Sequence, residues 1–181
     1  MIQNKYIQII PAELSLAEQV ADYYKRNRKF LEKFEPQRSE DFFSLEFQKD
    51  VLKKEMFDFT NKTSAHFYIK ASESPQMIIG MIGLSGIVYG SFCSAYLGYK
   101  MDKDFINRGY MTMAIEMMVE YGFKELGLHR IEANVMPRNE ASLRVLEKCQ
   151  FVKEGLAKYY LNVHGTWEDH IHMVRINFEM H

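Results

Sequence analysis

The hydrophobic positions of this chain repeat with two periods, and the places where the period changes mark its elements. Residues 5–10 (KYIQII) alternate as a strand that Pro11 ends. From 14 to 34, Leu14, Ala17, Val20, Ala21, Tyr24, Phe30, Leu31 and Phe34 fall at helical spacing, and Pro36 closes that region. Ser39-Glu40-Asp41 supplies capping chemistry for a second helix over about 41–60, with Phe43, Phe47, Val51 and Phe57 on one side. After Thr63 the pattern turns β-rich. Residues 65–70 and 77–84 read as strands separated by the turn ASESPQ, and 94–101 (SAYLGYKM) as a third. The polar turn DKDFINRGYMT leads into a helix over about 111–126, which Gly127 stops. Strand 131–135, helix 140–149 and strands near 151–161 and 168–177 complete the chain.

Helices lie between some strands while other strands follow one another directly. That order predicts an α/β (α+β) fold, with a mixed, mostly antiparallel central sheet of about seven strands and helices on both faces. With 181 residues and no internal repeat or Pro/Gly/Ser linker, residues 1–181 read as a single domain.

Hydrophobic residues make up 47% of the chain, enough for a sizeable core and far from a disordered composition. The formal net charge of −1 gives no global basic field, which argues against direct nucleic-acid binding. No run of about 20 apolar residues exists to span a membrane, and the apolar stretch at the N-terminus is too short and interrupted for a signal peptide. Cys93 and Cys149 have no metal or redox spacing, so a reducing cytoplasm is the expected location.

Two segments carry candidate chemistry. The turn INRGYMT precedes a helix, and a helix N-terminus offers unpaired N–H groups and the positive end of the dipole to an anion. Gly109 allows close backbone approach, Arg108 adds a cation and Thr112 a hydroxyl. The unit reads either as a pyrophosphate cradle or as an ordinary strand-to-helix turn that needs a glycine. In the second segment, NEASLRVLEKCQF, Asn139 or Ser142 caps a helix, and Leu143, Leu146 and Phe151 read as core.

Taken together and in order, SAYLGYKM, DKDFINRGYMT, HRIEANVMPRN and NEASLRVLEKCQF resemble the acetyl-CoA-binding core of the GCN5-related N-acetyltransferases. The tail YYLNVHGTWEDHIHM is similar to that family's ending. NRKFLEKFEP at 27–36 resembles a segment of the ribosomal-protein N-terminal acetyltransferases of the RimJ/RimL group. The resemblance implies an acetyltransferase that uses acetyl-CoA as cosubstrate, needs no metal, and acts on an amine. The acceptor it implies is a protein N-terminus, with a small amine or a CoA-sensing role as the alternatives; the chain would be a monomer or homodimer.

The resemblance also implies roles for individual residues. Tyr99, Lys100 and Met101 stand where backbone groups pair with the pantetheine arm, and Ile106, Asn107, Arg108, Gly109, Tyr110 and Met111 where the turn cradles the pyrophosphate, with Thr112 beside them. Of the family's glycine-bearing turn pattern, Gly109 is retained while Ile106 and Met111 depart from it. Asn139 matches the Asn that binds pantetheine. The Tyr that many relatives carry seven residues later is Leu146 here, and the Gly before the Phe is Gln150. Ser142 becomes the candidate partner of the departing thiolate. Because SAYLGYKM contains no acid and carries Tyr96 in its place, Glu132 is the leading candidate base and Asp169 the next. Glu132 shares a strand face with Asn134 by alternation. An ion-paired surface acid is the competing reading of Glu132. Tyr159 and Tyr160 read as core or as assisting phenols. His170 and His172 would face the same way, but nothing is spaced to complete a metal site with them.

Overall fold

The two periods in the sequence become one sheet flanked by four helices in the computed structural model, which describes residues 1–180. The strands are β1 (Ile2–Gln3), β2 (Ile7–Pro11), β3 (Ala65–Ala71), β4 (Gly80–Val88), β5 (Ser94–Met101), β6 (Arg130–Val135), β7 (Val152–Val163) and β8 (Thr166–Ile176). They lie in the order β1-β2-β3-β4-β5-β6-β8-β7. Only β5 and β6 run parallel; every other neighbouring pair is antiparallel. The sheet therefore has eight strands among the described residues rather than about seven. The extra one, β1, is two residues long and too short to show a period.

The helices are α1 (Ala17–Leu31), α2 (Leu45–Thr60), α3 (Tyr110–Lys124) and α4 (Glu140–Lys148). On one face, Leu84, Leu97, Ile131 and Met173 pack with Ile115 and Met118 of α3 and Leu146 of α4. On the other face, Val20 and Tyr23 of α1 and Leu52 of α2 pack on Tyr68 and Met81. This second layer covers β3 and β4, leaving the same face of β5, β6 and β8 without a helix of that cluster.

The second helix differs from its expected form. A 3-10 turn, Glu40–Phe43, takes up the expected first turn, and α2 starts at Leu45. Its cap is Ser44, whose hydroxyl accepts from Phe47 N at 3.2 Å, while Ser39 makes no side-chain cap bond. Gln48 and Leu52 are the buried residues of α2, while Phe47 and Phe57 are exposed. Polar Gln48 is fully buried, and its Nε2 donates to Phe42 O at 2.5 Å. The β7–β8 hairpin closes through His164 (φ 50°) and Gly165 (φ 82°), the two left-handed residues that a two-residue turn needs to match strand twist.

A buried polar knot ties α1 to the segment after β5. Asp102 Oδ2 accepts from Arg26 Nε at 2.7 Å and from Asn27 Nδ2 at 2.9 Å. Its Oδ1 accepts from Asp104 N at 2.9 Å, and Asn27 Oδ1 accepts from Lys103 N at 3.0 Å. Arg26 also donates to Ile78 O. Burial opposes the charge on Asp102, but the Asn27, Asp104 and Arg26 donors outweigh it and hold the carboxyl below its ordinary range.

Removing Asp102 takes the shared acceptor from half-buried Arg26 and buried Asn27 and leaves Asp104 N without its partner, so Asp102→Ala is expected to cost about 3 kcal/mol, read by urea unfolding. The folded carboxyl is depressed, so its stabilisation is complete above the unfolded value of about 3.9 and is lost as pH falls through the lower folded value. The difference between wild type and variant should therefore be constant from pH 5 to 8 and shrink only in strong acid. At the end of α4, Gln150 adopts φ 60°, a conformation that costs a side chain about 1 kcal/mol. Gln150→Gly is expected to raise stability by about that amount in the same assay.

Candidate active site

Pairing between β5 and β6 stops early. Ser94, Ala95 and Tyr96 face Arg130, Ile131 and Glu132, and no pair follows. Beyond Tyr96 and Glu132 the strands diverge: β5 stays paired with β4 as far as Met101, and β6 stays with β8 as far as Val135. The edge of β5 from Leu97 to Met101 that faces β6 thus has backbone groups with no ladder partner, in the interior of a sheet where such groups are normally paired.

The turn after β5 delivers the chain to the N-terminus of α3. Asn107 (φ 61°) and Gly109 (φ 79°) are both left-handed, and Gly109 occupies the position before the helix with no side-chain cap. The first N–H groups of α3 are accordingly unsatisfied within the helix. Ile106, Asn107, Arg108 and Gly109 are exposed. Met111 is buried in the core, so its backbone alone faces the turn, and Thr112 is half-buried. Arg108 stacks over Phe105 at 4.8 Å and pairs with Glu73 at 2.8 Å. Tyr110 packs on Phe105 with ring centroids 6.5 Å apart.

The three expected pantetheine residues of β5 behave differently from one another. Lys100 points toward α1 and pairs with Glu35 at 2.5 Å. Burial works against its charge, but Tyr24 and Glu35 outweigh this and hold the ammonium above its usual range. Met101 is half-buried against the core. Tyr99 points to the opposite face, where its phenol lies 2.5 Å from Ser142 Oγ and 3.2 Å from Ser142 O. Burial pushes the Tyr99 phenol well up, so it stays protonated. Ser142 sits in the first turn of α4, where Asn139 Oδ1 accepts from Ser142 N at 3.3 Å. Tyr99, Asn139 and Ser142 are therefore one unit across the strand gap. The contact of the Tyr99 side chain with Ser142 was not legible in the sequence, because it depends on which way β5 faces. Leu146, seven residues after Asn139, is fully buried core.

Glu132 and Asn134 project from the other face of β6, since Ile131, Ala133 and Val135 enter the core beneath α3 and α4. Glu132 pairs with Arg130 Nε at 2.8 Å, and its second oxygen lies 3.9 Å from His172 Nδ1. Arg130 also binds Glu154 through two N–H groups. Asn134 Nδ2 donates to Tyr160 OH at 3.0 Å. Tyr160 lies against His172 and His170, with ring centroids at 5.1 and 5.4 Å. The two histidines do share a face, yet no group of three or more metal-binding side chains forms among the described residues.

Asp169 stands apart from this group. It accepts from Lys158 Nζ at 2.7 Å and from Tyr159 N at 2.9 Å, and the Lys158 bond first, then Tyr159, holds its carboxyl below the usual range. Tyr159 is left-handed (φ 50°) at an irregularity of β7 and is exposed. Asp169 thus clamps the bulge that places Tyr160, and its oxygens are occupied.

Residues 8–152 match the model of the acetyltransferase (GNAT) domain. The probable N-acetyltransferase YjcK of Bacillus subtilis is 39% identical over 170 residues, covering 94% of this chain and 93% of that protein. The structure of ribosomal-protein-S5-alanine acetyltransferase from Vibrio fischeri superposes with a TM-score of 0.94 at 35% identity, covering 98% of this chain and 97% of that one. Mycobacterium smegmatis RimJ in complex with CoA-disulfide gives a TM-score of 0.89 at 25% identity, covering 96% and 83%. With the gap between β5 and β6 and the uncapped α3 in place, these likenesses assign the chain to the GNAT acetyltransferase family, as an N-acetyltransferase whose relatives include ribosomal-protein-alanine acetyltransferases.

Proposed function

We propose that the protein moves an acetyl group from acetyl-CoA to the N-terminal α-amine of a protein, with a ribosomal protein as the acceptor class, by direct attack in a ternary complex. The observation that carries this reading is the end of β5–β6 pairing at Tyr96 and Glu132, beside the uncapped α3. An unpaired β5 edge fits an amide-bearing arm, and the left-handed turn with the α3 N-terminus fits a pyrophosphate. The protein acceptor is supported by the likeness to the S5-alanine acetyltransferase. Two free cysteines, Cys93 and Cys149, suit a cytoplasmic setting.

In this reading the backbone of Tyr99, Lys100 and Met101 pairs with the pantetheine arm. The N–H groups from Ile106 to Thr112 hold the pyrophosphate, and Arg108 exchanges Glu73 for a phosphate oxygen. The Asn139 side-chain amide caps α4 with its oxygen and keeps its N–H groups for the arm. Acetyl-CoA supplies an acyl group already activated as a thioester. Tyr99, the more acidic hydroxyl, donates to Ser142 Oγ and leaves the Ser142 proton directed at the departing sulfur. Glu132, across the gap, provides the negative charge toward which the amine proton moves. An α-amine, with an unperturbed pKa of about 7.7–8.0, is already partly neutral near pH 7.5, so the protein's main tasks are position and proton acceptance.

Calorimetry with acetyl-CoA, followed by thiol release with N-terminal peptides and small amines, tests the reading. Binding with peptide-selective turnover is expected. Selectivity for a small amine would move the acceptor, and absence of binding would overturn the site. Ser142→Ala and Glu132→Gln are expected to lower turnover by roughly 10- to 100-fold while acetyl-CoA affinity stays within about twofold; parallel losses in both would remove these roles. Tyr99→Phe should lower turnover less, by roughly 3- to 10-fold, because Ser142 keeps its proton and loses its alignment.

A further inference from the structure

The sheet face opposite α3 and α4 carries two buried polar atoms that the fold leaves unpartnered, on residues that face each other across two strands. Asn134 and His172 face each other across β6 and β8. Asn134 Oδ1 and His172 Nε2 are each buried with no hydrogen-bond partner. Buried polar groups are nearly always bonded, and leaving one unmade costs about 1–3 kcal/mol, so two adjacent cases mark a place built for something else.

The chemistry of the two atoms says what fits. Asn134 has given its N–H to Tyr160 OH, and its Oδ1 can only accept. His172 Nδ1 faces Glu132 Oε2, and Glu132 bears a negative charge that favours the ring proton on that nitrogen. Nε2 is then also an acceptor. Two acceptors fixed next to each other, with a carboxylate behind them, require a partner with at least two N–H groups, which is what a primary amine offers. The other charged groups near the ring are Arg130 and Glu154, which bind each other. His170 and Tyr160 complete the surroundings.

We propose that Asn134 and His172 are the seat of the acceptor amine, with His172 Nε2 as the atom that takes its proton and Glu132 as the residue that orients the ring. The proposal rests on the amine-acetylating function above and places its proton step. The amine nitrogen uses its lone pair to form the C–N bond. Its N–H proton passes to Nε2, giving an imidazolium beside the Glu132 carboxylate. The C–S bond breaks, and the sulfur keeps the electron pair and leaves as a thiolate to which the Ser142 hydroxyl donates a hydrogen bond, while the proton on His172 passes to solvent. Asn134 Oδ1 holds the second N–H and fixes the lone pair toward the gap. Glu132, whose other oxygen is bound by Arg130, acts through His172.

Two measurements on the full chain decide this. In ¹⁵N-imidazole NMR near neutral pH, with His172→Gln used to identify the ring, the expected neutral tautomer has its proton on Nδ1 and a bare Nε2. A predominant Nε2–H form overturns the assignment whether or not any acceptor is known. In thiol-release kinetics with an alanine-terminated peptide, His172→Gln is expected to lower kcat/KM for the peptide on the order of 100-fold with acetyl-CoA affinity unchanged. Asn134→Ala should raise the peptide KM with little change in kcat, a split that a general packing defect would not produce. A loss under about threefold in His172→Gln removes the catalytic role. If wild type binds acetyl-CoA yet turns over no peptide or amine, the functional reading above fails, and the tautomer still accepts or rejects the seat.

Discussion

The parting of β5 and β6 after Tyr96 and Glu132 is the constraint on which the rest of this molecule depends. A sheet interior tolerates unpaired backbone poorly, so the gap persists only because both strands are held from their outer sides. β4 holds β5 and β8 holds β6 along lengths that the two central strands do not share. The knot of Asp102 with Arg26 and Asn27 fixes the end of β5 to α1 at the point where the chain leaves for the turn. That knot begins in the segment resembling the RimJ/RimL group, whose Asn27 is fully buried. The segment thus has a structural duty, whatever it contributes to acceptor choice.

The gap also divides the chemistry between two faces. Strand alternation sends Tyr99 toward α4 and Ser142, and sends Glu132, Asn134 and His172 to the side that α1 and α2 leave uncovered. Polar side chains therefore line the gap from both faces of the sheet, the Tyr99–Ser142 pair on one and Glu132, Asn134 and His172 on the other. Substituting Leu for the Tyr that many relatives carry seven residues after Asn139 is accommodated by this geometry. Leu146 fills the core, and the Tyr99 phenol of β5 lies 2.5 Å from Ser142 Oγ instead. Asp169 contributes at one remove, stabilising the left-handed Tyr159 so that Tyr160 packs over the two histidines.

The amino-acid sequence alone determined the order and type of nearly every element, because each long element carries its own period and its own stop signal. β5 and α4 run almost as read, and the left-handed Gly109 follows from the need of the turn before α3. The family was legible too, since its motifs are local and ordered. Where the reading failed, local signals were overruled by contacts made elsewhere. A 3-10 turn replaced the first turn expected of α2, Phe57 lies outward, and two-residue β1 exists only because β2 is there to pair with it. What only the tertiary structure decided is which side chains meet. Tyr99 with Ser142, Asp102 with Asn27 and Glu132 with His172 are each separated by 40 or more residues, and no period encodes such a meeting. Sequence spacing fixes the face from which a side chain leaves its own strand or helix, while sheet order and the early end of one parallel ladder fix what waits there.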